Sequence, residues 1–415
     1  MSESPLNRPD FATATRYWLR LGLLNFGGPA GQIAMMQRDL VEDRRWVDQP
    51  HFLQALNFCM VLPGPEAQQL ATYIGWLLHG VRGGVTAGVL FVLPGAAVLF
   101  GLSWLAAAHG DAPLVRTAFE GLKPVVIAII AEALWRIGRR TLHGGIPVAL
   151  AVTAFIAIQF LGAPFPLIVL VAGAVGWFFL RKDQGSKTVP AQRPPVARAL
   201  RLAAIYAVMI IVPTTAVVAA FGPAPFLDIA RFFTQAAFVT FGGAYAVLPY
   251  VAKAAVENFQ WLSPAEMING LALAETTPGP LILVLQYVGF FAGWNHPPAG
   301  LSSLAAAGLS AVLTSYATFL PSLFLILIGA PYVAWIATLP KLGSAFRGIT
   351  AAVVGVIASL GWFFGQAVFF ANGEMDLVAI AVALVALIAG LRFKIAMPIL
   401  VVVGALFGMA RYAFL

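Results

Sequence analysis

The stretch NFCMVLPGPEAQQL, residues 57–70, decides the fold. It sets Pro63, Gly64 and Pro65, and then the carboxylate of Glu66, inside a run otherwise apolar enough to lie in lipid. The whole chain is of that kind. It has 415 residues, 60% hydrophobic and 10% charged, with a mean hydropathy of +0.87. A soluble domain of this composition would leave too much apolar surface without a home. Runs such as GVTAGVLFVLPGAAVLFGLSWLAAA from Gly84 are long enough to cross roughly 30 Å of hydrocarbon, and helices are the way such segments satisfy their backbone there. Pro-Gly-Pro at that depth removes helical hydrogen bonds, so the freed groups must face protein or a watery cavity.

The remaining composition narrows the chemistry. One cysteine, Cys59, and five scattered histidines leave no disulfide and no metal cluster to be expected. No haem, flavin or ATP-binding signature occurs, and no cofactor is expected; QGSKT in residues 184–188 lacks the spacing of a phosphate loop. The N-terminal twenty residues lack an uninterrupted apolar core and a small-residue cleavage pattern, so no removable signal sequence is expected. A net charge of +8 fits basic cytoplasmic loops rather than nucleic acid.

The breaker is not single. Moving the chain over itself by 215 positions superposes Phe26-Gly27-Gly28 on Phe241-Gly242-Gly243, Trp46 on Trp261, and Pro63-Gly64-Pro65 on Pro278-Gly279-Pro280. Further on the offset becomes 227, and Leu93-Pro94 meets Leu320-Pro321. Two homologous halves are expected: a first repeat over 11–180, a basic cytoplasmic linker over 181–201, an extra transmembrane helix over 202–221, and a second repeat over 229–415. Arg136, Arg139 and Arg140 follow a helix whose counterpart is followed by Glu374 and Asp376, whereas Arg392 and Lys394 occupy a loop that is uncharged in the first half. The sign reversal predicts opposite topology. The fold expected is therefore an all-α integral membrane protein of two inverted repeats with broken or re-entrant helices. Each half has four plain spans, roughly 84–108, 113–138, 145–161 and 164–180, then 302–330, 342–366, 377–391 and 396–412. Re-entrant broken segments give about nine crossings and spanning ones about thirteen; the sequence allows both.

Broken helices meeting near the bilayer middle are how many secondary transporters build a substrate site, and a helix that restarts there offers unpaired amides and a positive dipole end to an anion. The candidate binding residues around the breaks are Asn25, Gly27, Gly28, Pro29, Gln32, Pro63, Gly64, Pro65 and Gln69 in the first half. Gly242, Gly243, Thr276, Thr277, Pro278, Gly279 and Pro280 are their counterparts in the second. Lys123, about ten residues into its helix, is either an anion ligand or the structural partner of Glu120. Arg347 is a ligand or a side chain reaching the inner interface. Glu66 and Glu275 either cap helix dipoles or act as gating or proton-coupling groups. Gly84/Gly88, Gly289/Gly293 and Gly404/Gly408 read as packing faces.

NFGGPAGQIAMMQRDLVEDRRWVD, LPGPEAQQLATYIGW, FGGAYAVLPYV and LAETTPGPLILVLQYVGF resemble the chromate ion transporters of the two-domain, long-chain type over nearly the whole chain. The resemblance implies a multi-pass protein of the bacterial inner membrane that exports chromate, a tetrahedral dianion like sulfate, and confers chromate resistance; it implies no enzyme activity. Glu66 has Leu281 as its counterpart and Pro29 has Ala244, so the two half-sites differ chemically. Efflux suits a dianion, which gains about 4.6 kcal/mol per 100 mV on leaving a negative-inside cell. The partners expected are the dianion and the lipid bilayer, with a homodimer allowed. A sulfate or other oxyanion carrier, an intramembrane enzyme using the two carboxylates, and a channel-like scaffold remain the competing readings.

Overall fold

The computed structural model describes residues 7–26, 28–180, 196–333, 340–370 and 373–413. The regular structure among these residues is all helix, with no strand. Gly27, most of the expected linker (181–195), and residues 334–339 and 371–372 lie outside the described residues.

The first half opens with α1 (Phe11–Leu24) and α2 (Gly28–Gln37), the latter running on through a π-turn, Arg38–Asp43. Then come α3 (Gln49–Cys59) and α4 (Glu66–His109), separated by the Pro-Gly-Pro motif. Helix α4 is two helices in one. At His79 and Gly80 the backbone leaves helical geometry, with Gly80 at φ 62°, ψ −151°, a conformation glycine adopts without a Cβ penalty. The chain folds back there: Gly75 and Gly83 touch backbone to backbone, and Gly84 and Gly88 lie against Thr72. The expected span from 84 thus starts at 81, as the outer limb of a tight hairpin whose inner limb begins at Glu66.

Helices α5 (Pro113–Thr141), α6 (Gly145–Leu161), α7 (Phe165–Phe179) and α8 (Val196–Phe221) follow. The expected linker over 181–201 is too long at its C-terminal end, since α8 already runs from Val196. Ala, Leu and Arg there favour helix and no proline follows Pro195 until Pro213.

The order of elements then recurs. Helices α9 (Phe226–Val239) and α10 (Ala244–Lys253) with its π-turn Ala254–Asn258, α11 (Pro264–Thr276), α12 (Val284–Asn295), α13 (Ser303–Gly329), α14 (Pro340–Phe369), α15 (Leu377–Phe393) and α16 (Met397–Ala413) complete the chain. The second half therefore opens at Phe226, three residues before the expected boundary. Four helices among the described residues, in α4, α8, α13 and α14, are long and apolar enough to cross a membrane by length and composition. Helix α5 is as long, but Glu120, Lys123, Glu132 and Arg136 break its apolar run. The outward residues of α8, Val208, Ile211 and Val212, are each 59% exposed, a surface that lipid would cover.

The halves are interleaved. Helix α5 packs against α15 and α16, and α14 packs against α6 and α7. Glycines allow the close approaches: Gly121 meets Gly404 and Gly408, and Gly348 meets Ala172 and Gly176. Helices α5 and α14, equivalent at the 227 offset, run antiparallel. Gly138 lies beside Val354, Gly361 beside Ile130, and Lys123 and Pro124 share a recess with Ala367 and Val368.

The broken segments are hairpins that return to the face from which they start. The Asn295 side-chain amide donates to the Trp261 carbonyl at 2.9 Å, and His296 Nε2 lies 2.9 Å from the Gln260 carbonyl, so α11 and α12 close at their base. In the first half the Asn7 amide donates to the Arg45 carbonyl at 3.0 Å and His79 Nε2 lies 3.1 Å from the Pro9 carbonyl. Residues 7–9, 45 and 79 thus share one end of the bundle.

Candidate functional site

Each hairpin tip is a helix interruption whose glycine the other half holds. At the end of α11, Gly279 has φ 104°, and at the end of α3, Gly64 has φ 127°. The Gly64 amide donates to the Thr240 carbonyl, at the end of α9, at 2.7 Å. The Gly279 amide donates to Asn25, at the end of α1, to its Oδ1 at 2.5 Å and its carbonyl at 3.3 Å. Asn25 and Thr240 are related by the same 215 offset as the two glycines. The exchange is reciprocal, and it ties both breaks into one junction. Its depth follows from α4: Pro278 abuts Gly95, the midpoint of residues 81–109, which places the tip roughly 21 Å along a helix of about 43 Å. Gly64 abuts Ser322 of α13, the counterpart of Gly95 at the 227 offset.

Polar side chains line this junction. The Gln32 amide donates to the Asn25 and Gly279 carbonyls at 2.8 and 2.7 Å, while its own carbonyl oxygen is buried without a partner. The Gln69 amide donates to the Pro63 carbonyl at 2.7 Å, and its oxygen is likewise unpartnered. Ser322 donates to Gln68 at 2.8 Å. Helix α4 starts at Glu66 after Pro65 with no side-chain cap, and the turn at Leu281 starts after Pro280 with none either. Both restarts therefore keep first-turn amides for another acceptor. Gly28, Gly242 and Gly243 sit at φ 73°, 80° and 91°, conformations that the chain reversals before α2 and α10 require; Pro29 is the second residue of α2. The Thr276 and Thr277 hydroxyls donate to the Leu273 and Ala274 carbonyls of their own helix.

The carboxylates take different positions. The Tyr245 hydroxyl donates to Glu275 Oε1, and Arg136 and Glu132 of α5 are the charged groups within electrostatic reach of Glu275. Arg140 is the one within reach of Glu66, whose own oxygens carry no hydrogen bond among the described residues. Residues 132, 136 and 140 are spaced by four and share one face of α5.

Two expected ligands are not brought to the junction. Lys123 pairs with Glu120 at 2.6 Å in a recess with Thr117, Asp376 and Arg411 at the other end of α5, about 20 Å by helical rise from Arg136. Arg347 is exposed near the start of α14 and donates to Ser344 at 3.4 Å. The Lys123→Ala variant should accordingly keep the half-saturating substrate concentration of the parent in a vesicle flux assay; a tenfold rise would place Lys123 on the substrate path. Thr240, Ser322 and Tyr245 are residues that motif reading missed. Thr240 and Ser322 were reachable by carrying Asn25 and Gly95 across the repeat offsets, but Tyr245 has no such signal, because its counterpart is Ala30.

Two sets of broken helix pairs meeting inside a multi-pass helical bundle define the architecture of a membrane transporter. The sequence profile described as Chromate transporter matches residues 12–177 and 227–409. The chain belongs to the chromate transporter family. It is 30% identical over 397 residues to the probable chromate transport protein of Synechococcus elongatus, covering 95% of this chain and 94% of that one. It is 28% identical to the chromate transport protein of Cupriavidus metallidurans, covering 96% and 92%, and 32% identical to that of Pseudomonas aeruginosa, covering 82% and 78%. No solved structure matches.

Proposed function

We propose that this chain exports chromate across the bacterial inner membrane, using the junction of its two Pro-Gly-Pro breaks as the substrate site and the membrane potential as the drive, and so confers resistance. The observation that carries the reading is the reciprocal holding of Gly64 by Thr240 and of Gly279 by Asn25 in a member of this family. It gives two uncapped helix starts facing one buried, polar junction.

The two halves act as inverted repeats around that junction, a reading that the antiparallel course of α5 and α14 supports, and the hairpin closures favour the smaller crossing count, about nine. The bundle end that gathers Arg45, Arg82, Arg136, Arg140 and Lys394 is cytoplasmic by the excess of basic residues. Substrate oxygens accept from first-turn amides and from side-chain amides that rotate from their present partners; the tetrahedral dianion needs several such donors at once. Glu66 sits beside the restart of α4, where a charged carboxylate repels the anion and a protonated one admits it. Sliding of the interleaved halves about the junction exposes it to one face and then the other.

The test is flux of labelled chromate from proteoliposomes holding the purified protein, with potential and pH gradient set independently. Potential-dependent, saturable efflux is expected, and its absence would sink the proposal. Sulfate that competes equally would move the reading to a general oxyanion carrier. Glu66→Gln should remove the acceleration expected at low pH and leave the rate near its low-pH value throughout; an unchanged pH profile would show that Glu66 is only a dipole cap.

A further inference from the structure

A second cluster of charge lies outside the junction. Where the ends of α5 and α15 meet, a recess of about 430 Å³ is lined by Glu132, Arg136, Arg139, Arg140, Leu391 and Lys394. Four cations face one carboxylate there. Arg136 is 3.9 Å from Glu132, whereas Arg139, Arg140 and Lys394 have no ion pair among the described residues. Arg139 and Arg140 occupy the last turn of α5, where cations favour the helix dipole, but Arg136 stands a turn earlier and owes nothing to that effect. Lys394 ends α15 at φ 54°, a left-handed position where glycine or asparagine is the usual residue. A side chain held there against its backbone preference points to a use for the ammonium group.

Two of its arginines also act on the carboxylates near the junction through charge. Arg136 and Arg140, on one face of α5, are the cations within reach of Glu275 and of Glu66 respectively. Neither arginine forms an ion pair with that carboxylate among the described residues, so the coupling acts through the field across more than 4 Å. The two walls come from different halves, so motion of one half against the other changes the recess itself.

We infer that this recess is a capture site for tetrahedral oxyanions at the inner face, in which Arg136, Arg140 and Lys394 hold the dianion before it passes the carboxylates to the junction. The inference rests on the transport reading above. Its ligand chemistry, a tetrahedral oxyanion accepting from guanidinium groups, is shared by a free dianion and by a phospholipid headgroup, and the experiment separates the two.

The full-length protein is purified and reconstituted in vesicles of neutral phosphatidylcholine, as parent, Arg136→Gln/Arg140→Gln, Lys394→Gln and, as a control on the exposed Arg82 that matches Lys394→Gln in charge, Arg82→Gln. Flux from the face bearing the recess should show a half-saturating chromate concentration raised about tenfold or more in the double variant and less in Lys394→Gln, with the maximal rate near that of the parent. Arg82→Gln should match the parent. Equal half-saturation in parent and double variant, or the same rise in Arg82→Gln, overturns the inference. If the double variant does not fold, Lys394→Gln and the loss of parent affinity at high ionic strength decide instead, and no change in either overturns it. Bound phospholipid that is lost in the double variant while chromate half-saturation stays constant assigns the recess to lipid and overturns it as well. Equilibrium binding of labelled chromate to detergent-purified protein is read in parallel. A parent that binds but does not transport, with binding lost in the double variant, would keep the recess and reject the transport reading, and a parent that neither binds nor transports would reject both.

Discussion

Replacing Gly95 by valine should abolish transport while the neighbouring Gly101→Ala leaves it near the parent rate. A Cβ on Gly95 runs into the carbonyl of Pro278 and lies 2.9 Å from Leu283 Cδ1. The obstacle is backbone, at the tip of a hairpin whose own glycine is in the left-handed region, so no side chain can swing aside. Overpacking of this kind costs about 1–3 kcal/mol, and the γ-methyls of valine put the result at the upper end. The collision pushes the α11–α12 tip away from α4 and pulls the Gly279 amide from Asn25. Each 1.4 kcal/mol lost from the assembled junction is about tenfold in its population. Gly101, two turns along the same helix, has nothing within 4 Å of its would-be Cβ. Flux and thermal unfolding of detergent-purified protein check the pair; a Gly95→Val protein that transports like the parent would mean that the tip does not sit at the working junction.

Asn25→Ala is the second large effect. Asn25 is fully buried; its Oδ1 takes the Gly279 amide and its Nδ2 donates to the Phe91 carbonyl at 3.4 Å. Alanine leaves those two backbone groups without side-chain partners, at a cost of about 1–3 kcal/mol. The equivalent change, Thr240→Ala, should cost far less. The Gly64 amide is held by the Thr240 backbone carbonyl, and the threonine hydroxyl merely donates to Ala236 in its own helix at 2.6 Å. A transport loss of more than about tenfold in Asn25→Ala with little loss in Thr240→Ala is the expected outcome. Equal losses would show that the junction depends on the shape of both caps rather than on the hydrogen bond from Asn25.

Much of this was legible in the amino-acid order. Proline, glycine and tryptophan recur at fixed offsets because the same backbone problem is solved twice, and a breaker in an apolar run has few physical solutions. The helix ends show it: Phe11–Leu24 and Phe226–Val239 are separated by the same 215 positions read from the motifs. Boundaries set by weak local preference were less legible. The start of α8 at Val196 and the reversal inside α4 at His79 and Gly80 depend on local preferences that tolerate either answer until neighbours pack on them.

By itself, then, the sequence determined a helical membrane chain of two like halves with paired breaks, since apolar length and Pro-Gly-Pro act through local backbone chemistry. Only the tertiary structure decided what the breaks hold. The bond between Gly279 and Asn25 joins residues 254 positions apart. Lys123 and its neighbour Glu120 stand at the end of α5 away from the junction, while Arg136 and Arg140, which read as topology signals, came within electrostatic reach of Glu275 and Glu66. Such pairings depend on which helices cross and at what height, and charge and hydropathy along one helix carry no record of the helix that will face it.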